Sequence, residues 1–127
     1  NGKKGAEDLN LFLANVSETY KKNIAEGKTS LILLHSCQTG KGDHSVGQEL
    51  SSTGDMLVIA PSKNVSLGND EHVTNNGVWN VFYKGELLGK YSGNIDFQRQ
   101  LEGKDPQGII VYWKNKYNEK HNQHKND

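Results

Sequence analysis

Apolar side chains at Leu9, Phe12, Leu13, Val16, Tyr20 and Ile24 recur at intervals of three and four, which puts them on one face and predicts a single helix over residues 6–25. Glu7 and Asp8 in its first turn and Lys21 and Lys22 in its last suit the helix dipole, and Gly27 supplies a stop. The pattern then changes. Leu31, Ile32, Leu33 and Leu34 run without polar relief into His35-Ser36-Cys37, and the chain breaks into Thr39-Gly40-Lys41-Gly42-Asp43, so a buried strand over residues 29–35 delivers a thiol to a turn. Residues 45–50 start a short helix with Asp43 or Ser45 as its cap and Val46 and Leu50 turned inward. Met56-Leu57-Val58-Ile59-Ala60, closed by Pro61, fits a strand buried on both faces of a parallel sheet. Two such strands joined by a crossover helix form a right-handed βαβ unit. The helix ahead of the first strand makes that pair the second half of an α/β unit, whose own first strand is expected before residue 1.

Residues 62–76, rich in Asn, Gly and Asp, read as a long loop. Val78 to Tyr83 alternate, Lys84-Gly85 supplies a turn, and residues 86–91 continue, which predicts a hairpin with Trp79, Val81 and Tyr83 on one face and Val78, Asn80 and Phe82 on the other. Residues 93–103 carry no decisive pattern. Asp105-Pro106 opens a helix whose inward stripe is Ile109, Ile110, Trp113, Lys116 and Tyr117. The polar tail, residues 118–127, is expected to fray, with His121 and His124 solvated.

The expected fold is therefore α/β: a small, mostly parallel sheet flanked by helices, with a β-hairpin and a C-terminal helix, lacking its first strand or strands. At 127 residues the chain is a single domain. Mean hydropathy of −0.78 is poor for an autonomous globule and points to long polar loops or to surface contributed by another chain or segment, as in a fragment of a larger protein. Lys plus Arg equals Asp plus Glu at 15 each, so no global field favours nucleic acid or an anionic membrane. No apolar run approaches the roughly 20 residues of a membrane span.

Cys37 is the only cysteine, so no internal disulfide is available. A thiol acts as thiolate, and the carboxyl end of a buried strand, before a glycine-containing turn and a helix N-terminus, is where backbone N–H groups lower its pKa and cradle an oxyanion. Open α/β sheets also hold ligands at that end. The competing reading is a buried, inert cysteine, the commoner fate of a lone one.

The strand followed by Ser36-Cys37-Gln38-Thr39-Gly40 resembles the nucleophile segment of the caspase-like cysteine peptidases, the clan of caspases, gingipains, separases and CHAT domains. The longer stretch through Lys41-Gly42-Asp43 to Val58-Ile59-Ala60-Pro61-Ser62 is similar to C-terminal domains of bacterial Rhs-type and other polymorphic toxins, and residues 77–91 are similar more loosely. The resemblance implies Cys37 as nucleophile, the backbone of Gln38, Thr39 and Gly40 at the oxyanion, a protein substrate and no cofactor. It further implies a bacterial effector, cytoplasmic before secretion or delivery into a neighbouring cell, and a cognate immunity protein in the producer. Such peptidases pair the cysteine with a histidine in a His-Gly motif on a neighbouring strand, and no His-Gly occurs in the sequence. The partner is thus expected upstream of Asn1 or among substitutes, or the domain is an inactive remnant.

Among substitutes, His35 shares the side of Cys37 in an extended strand, at about 7 Å. His44 follows the turn and His72 lies in the long loop; each is equally readable as a surface histidine without a role. A metal site finds no support, because His121 and His124 lack a completing cysteine or carboxylate cluster. Thr39-Gly40-Lys41-Gly42 lacks the spacing of a phosphate loop. The aromatic hairpin reads as core rather than as a recognition platform. The alternative to the peptidase is a noncatalytic interaction module of the same fold with a buried structural Cys37.

Overall fold

A computed structural model of the chain describes residues 2–36, 38–67, 73–101 and 105–125. Helices α1 (Lys3–Val16) and α2 (Glu18–Glu26) lead into strand β1 (Ser30–Leu33), and α3 (Val46–Leu50) carries the chain to β2 (Met56–Pro61). Short strands β3 (Val65–Leu67) and β4 (Val73–Asn75) precede β5 (Val78–Tyr83) and β6 (Glu86–Ser92); α4 (Phe97–Leu101) and α5 (Gln107–Lys125) complete the chain. The main sheet has the order β1-β2-β5-β6, and β3 and β4 form a separate pair.

The protein is α/β, with a mixed four-stranded sheet between helices, and four expectations change. Only β1 and β2 run parallel, whereas β2–β5 and β5–β6 are antiparallel, so the sheet is mixed rather than mostly parallel. The predicted helix over residues 6–25 is two helices broken at Ser17, whose extended backbone ends α1 and whose hydroxyl accepts from Tyr20 N–H at 3.1 Å to cap α2. The loop over residues 62–76 contains the β3–β4 pair, with Val65 opposite Asn75. Finally, α5 continues through Lys125, and His121 is only partly solvated: its ring stacks on Tyr117 at 4.1 Å and its Nε2 lies 2.9 Å from Glu86 Oε1. Burial raises the Glu86 carboxyl, but His121 and Lys120 outweigh it and hold it below its usual range.

Every residue of β2 is buried, which is why its sequence is apolar without alternation. Strand periodicity sends Leu57, Ile59, Trp79, Val81 and Tyr83 to one face against Phe97 of α4 and Ile110 and Trp113 of α5. Met56, Val58, Ala60 and Phe82 take the other face with Ala6 of α1, Tyr20 of α2 and Leu50 of α3. The β5–β6 hairpin turns through Lys84 and Gly85, both at positive φ (51° and 83°), the twist that suits a two-residue loop. Its register shifts after Val81, which pairs with Gly89 while Phe82 pairs with Leu87. Gly89 gives Trp113 room, since a Cβ there would stand 2.6 Å from the indole.

At the amino ends of β1 and β2, Asp55 Oδ1 accepts from Tyr83 OH at 2.9 Å and from Thr29 Oγ1 at 2.8 Å, and Lys114 Nζ donates to Thr29 Oγ1 at 3.0 Å. Burial, reinforced by the Asp55 hydrogen bond and charge, pushes Tyr83 up to about 12. A phenol whose pKa rises on folding binds its proton more tightly in the native state. Its contribution is complete below the unfolded value of about 10 and is lost as pH climbs through the folded value. Urea unfolding of the wild type and Tyr83→Phe across alkaline pH should therefore show the gap between the two curves closing from pH 10 to about 12. A gap independent of pH in that window contradicts the buried phenol.

Candidate functional site at the carboxyl ends of β1 and β2

The parallel β1–α3–β2 crossover brings the turn after β1 against the end of β2. Leu34 N–H still bonds to Ile59 O at 2.9 Å, and then the chain leaves the ladder. Gln38 takes a positive φ of 60° and its N–H donates to Lys63 O at 3.2 Å, while Gly40 N–H donates to Pro61 O at 2.8 Å. Asn80 Nδ2 of β5 donates to Gly40 O at 2.8 Å, so the turn is stitched to both neighbouring strands. Thr39 closes it locally, its hydroxyl donating to Ser36 O at 2.8 Å and its N–H to the same oxygen at 3.4 Å. The glycines are steric necessities: a Cβ on Gly40 would stand 2.4 Å from Ala60 O, and one on Gly47 would stand 2.8 Å from Ala60 Cβ. Ser45 then caps α3, accepting from Gln48 N–H at 3.2 Å.

Cys37 and His72 lie outside the described residues, between or beside elements that are described. Ser36 and Gln38, which bracket Cys37, are both exposed. His35 is also exposed, with its ring 6.2 Å from that of Trp79 at 57°. Desolvation there pulls its pKa below 6.5, and the charge of Asp96 opposes the shift. The imidazole is consequently neutral at pH 7, the form that accepts a proton.

His44 does not join His35. It sits at positive φ (59°) ahead of α3, its Nδ1 lies 2.6 Å from Glu49 Oε1, and its N–H donates to Gln48 Oε1 at 2.8 Å. The helix it leans on covers the Met56–Val58–Ala60 face of the sheet, whereas His35 packs on Trp79, which faces α4 and α5. The amides expected at an oxyanion are largely engaged: Gln38 and Gly40 N–H point at Lys63 O and Pro61 O, and only Thr39 N–H, at 3.4 Å, holds its acceptor loosely.

Sequence reasoning missed Asp96. It is 6% exposed, and its Oδ1 accepts from Arg99 N–H at 3.1 Å as the cap of α4. Trp79 links it to His35, since the indole donates to Ile95 O at 2.8 Å and meets Phe97 edge-on at 5.9 Å. An Asp ahead of an apolar residue and Arg99 is a readable cap signal, but nothing local tells which strand end it faces. Among the described residues no group of three or more His, Cys, Asp or Glu side chains gathers as a metal site, and no helix is long and apolar enough to cross a membrane.

No curated protein and no solved structure matches the chain. The family described as Domain of unknown function (DUF8616) matches residues 8–80, from α1 through the turn after β1 to the start of β5. With more than half its length so matched, the chain belongs to the DUF8616 family.

Proposed function

We propose that the domain is a caspase-like cysteine peptidase module in which Cys37 is the nucleophile and His35 its base. The observation that carries this reading is an exposed imidazole beside the turn at the carboxyl ends of two parallel strands, where desolvation favours its neutral form. The Cys37 thiol gives its proton to His35, and the thiolate sulfur bonds to the carbonyl carbon of a peptide. The oxyanion then meets Thr39 N–H, the least committed amide of the turn. Collapse breaks the C–N bond, the amine leaves with the proton from His35, and water hydrolyses the thioester. Asp96 stabilises the imidazolium formed on the way. Similarity of the turn to polymorphic-toxin domains supports the further proposal of a bacterial effector, delivered into a neighbouring cell and restrained by an immunity protein.

Iodoacetamide alkylation of the native protein tests the chemistry. Cys37 should react well below the ordinary thiol pKa of about 8.5, and His35→Ala should move the profile back toward that value. Cys37→Ala should abolish proteolysis and toxicity of the full-length protein; unchanged activity in that variant ends the proposal. The engaged amides of Gln38 and Gly40 favour a second reading, a noncatalytic interaction module. In that case Cys37 resists alkylation until the protein unfolds.

A further inference from the structure

Among the described residues strand β1 is an edge of the main sheet, paired only with β2. Ser30 N–H and Leu34 N–H point at β2, reaching Asp55 O at 3.1 Å and Ile59 O at 2.9 Å. Alternation along a strand therefore turns the N–H and C=O groups of Leu31 and Leu33 outward. Edges are ordinarily blunted by lysine, proline or a bulge. β1 has none of these, and Leu31, Ile32, Leu33 and Leu34 are each only half-buried.

A cavity of about 200 Å³ follows this edge, lined by Tyr20 and Asn23 of α2, by Leu31 and Ile32, and by Gln107 and Ile110 of α5. Leu31 packs with the α5 face and Ile32 with the α1 and α2 face. A cavity that touches both faces of β1, both flanking helices and no residue of β2 opens outside the strand. The helices thus overhang the edge. A sheet edge carrying its own helices, as in a second copy of the chain, would meet α2 and α5 first, whereas a lone extended peptide fits between them.

The amino end of the groove is charged. A second cavity of about 550 Å³ shares Thr29, Gln107 and Ile110 with the first and adds Lys28 and Lys114, with Asp105 as the one acid among its described lining residues. Lys28 is 62% exposed and pairs only at the surface with Glu26 at 3.2 Å, and Lys114 donates to Thr29 Oγ1. Within the described lining two ammonium groups stand against one carboxylate, with Glu26 reaching Lys28 only from the exposed side, and this favours an anionic group at this end. β1 runs away from it, so a strand antiparallel to β1 brings its carboxyl end there.

We infer that the outer edge of β1 is a docking groove for an extended peptide of a partner protein, added antiparallel to β1, with alternating apolar side chains and an acidic carboxyl-terminal residue between Lys28 and Lys114. The main chain of the peptide bonds to Leu31 and Leu33, and its alternate, apolar side chains all enter the groove on one face of the sheet. The inference does not depend on catalysis.

The test is titration of the chain with acetyl-Thr-Val-Thr-Val-Thr-Val-Asp, followed by amide NMR and by hydrogen exchange. Expected is saturable binding with slowed exchange at Leu31 and Leu33 and unchanged exchange at Leu34, which is already bonded to β2. Leu33→Pro deletes an outward N–H and leaves the β2 ladder in place, and should weaken binding about tenfold or more. Lys28→Glu, at an exposed position, should weaken this peptide and favour its counterpart ending in lysine amide. Absence of saturable binding, protection outside β1, or equal binding by folded Leu33→Pro and Lys28→Glu variants overturns the inference. So does concentration-dependent dimerisation of the free chain in sedimentation that the peptide leaves intact, since the groove would then belong to a second copy.

Discussion

Trp79→Ala should lower the unfolding free energy by about 3–5 kcal/mol, the range of large-to-small changes at buried aromatics. Trp79 is fully buried in the central part of the sheet, packed edge-on against Phe97 and near His35, and its indole N–H satisfies Ile95 O. Truncation therefore leaves a cavity under α4 and an unpaired carbonyl together. The surroundings cannot collapse easily, because β2 on one side and the Tyr91–Phe97 ring contact at 4.7 Å on the other are fixed by the sheet and by α4. Urea unfolding with an unchanged m-value measures the loss. Trp79→Phe should cost less, about 1–2 kcal/mol, mostly for the orphaned Ile95 carbonyl. A second readout separates core from site: the His35 pKa by NMR should rise from its depressed position toward 6.5 in Trp79→Ala, because the ring that desolvates it is gone. A loss below about 1 kcal/mol would mark Trp79 as a surface platform instead.

The elements legible in the sequence are those whose partners are implied by their own period. β2 is buried on both faces, so its apolar run and the terminating Pro61 suffice. The β5–β6 hairpin carries its turn in Lys84-Gly85 and its faces in simple alternation, and both appear as expected. The direction in which β5 meets β2 is different. A strand buried on both faces reads alike whether its neighbours are parallel or antiparallel, so the mixed sheet could not be read from Met56 to Pro61. The helix break at Ser17 was hidden by the very stripe that announced the helix. Val16 to Tyr20 is one helical interval, yet the chain changes direction between them, leaving Phe12 59%, Val16 56% and Ile24 56% exposed while Tyr20 turns inward. β3 and β4 are three residues each, too short for any period to emerge from a polar segment.

At the candidate site the sequence located the turn but not its wiring. Glycines at positions 40 and 42, a cap at Ser45 and polar residues between apolar runs are local signals, and the turn and α3 follow from them. Which carbonyl each amide meets depends on where the segment after Pro61 passes, and no pattern in residues 36–42 reports that. The same holds for histidine choice. His35 and His44 are both close to Cys37 in sequence, but they hold to elements on opposite faces of the sheet, one ring on Trp79 and the other against Glu49 of α3. Asp96 is more than fifty positions away and acts on His35 through space, which only the packing of α4 beneath Trp79 makes possible.

Gly40→Ala should destabilise the protein by about 3 kcal/mol or more, through overpacking against backbone. The added Cβ would stand 2.4 Å from Ala60 O, 2.8 Å from Ala60 C and 3.0 Å from Ala60 Cβ. The atoms it meets belong to a central strand bonded on both sides, to β1 and to β5, so they cannot retreat. The turn cannot retreat either, because Gly40 N–H is bonded to Pro61 O and Gly40 O to Asn80 Nδ2, both at 2.8 Å. Two other glycines calibrate the same chemical change. Gly42 has open space around it but a φ of 76°, so Gly42→Ala should cost only about 1 kcal/mol of backbone strain. Gly108 lies in α5 with nothing within 4 Å of a new Cβ, and Gly108→Ala should stabilise by about 0.5–1 kcal/mol. Denaturant unfolding of the three variants should rank them in that order, and equal losses at Gly40 and Gly42 would mean that the turn is not seated on Ala60. Because Gly40 belongs to the turn that also holds Ser36 and Gln38, a folded Gly40→Ala variant should also alkylate at the rate of an ordinary thiol, tying the steric requirement of one glycine to the chemistry proposed for the cysteine.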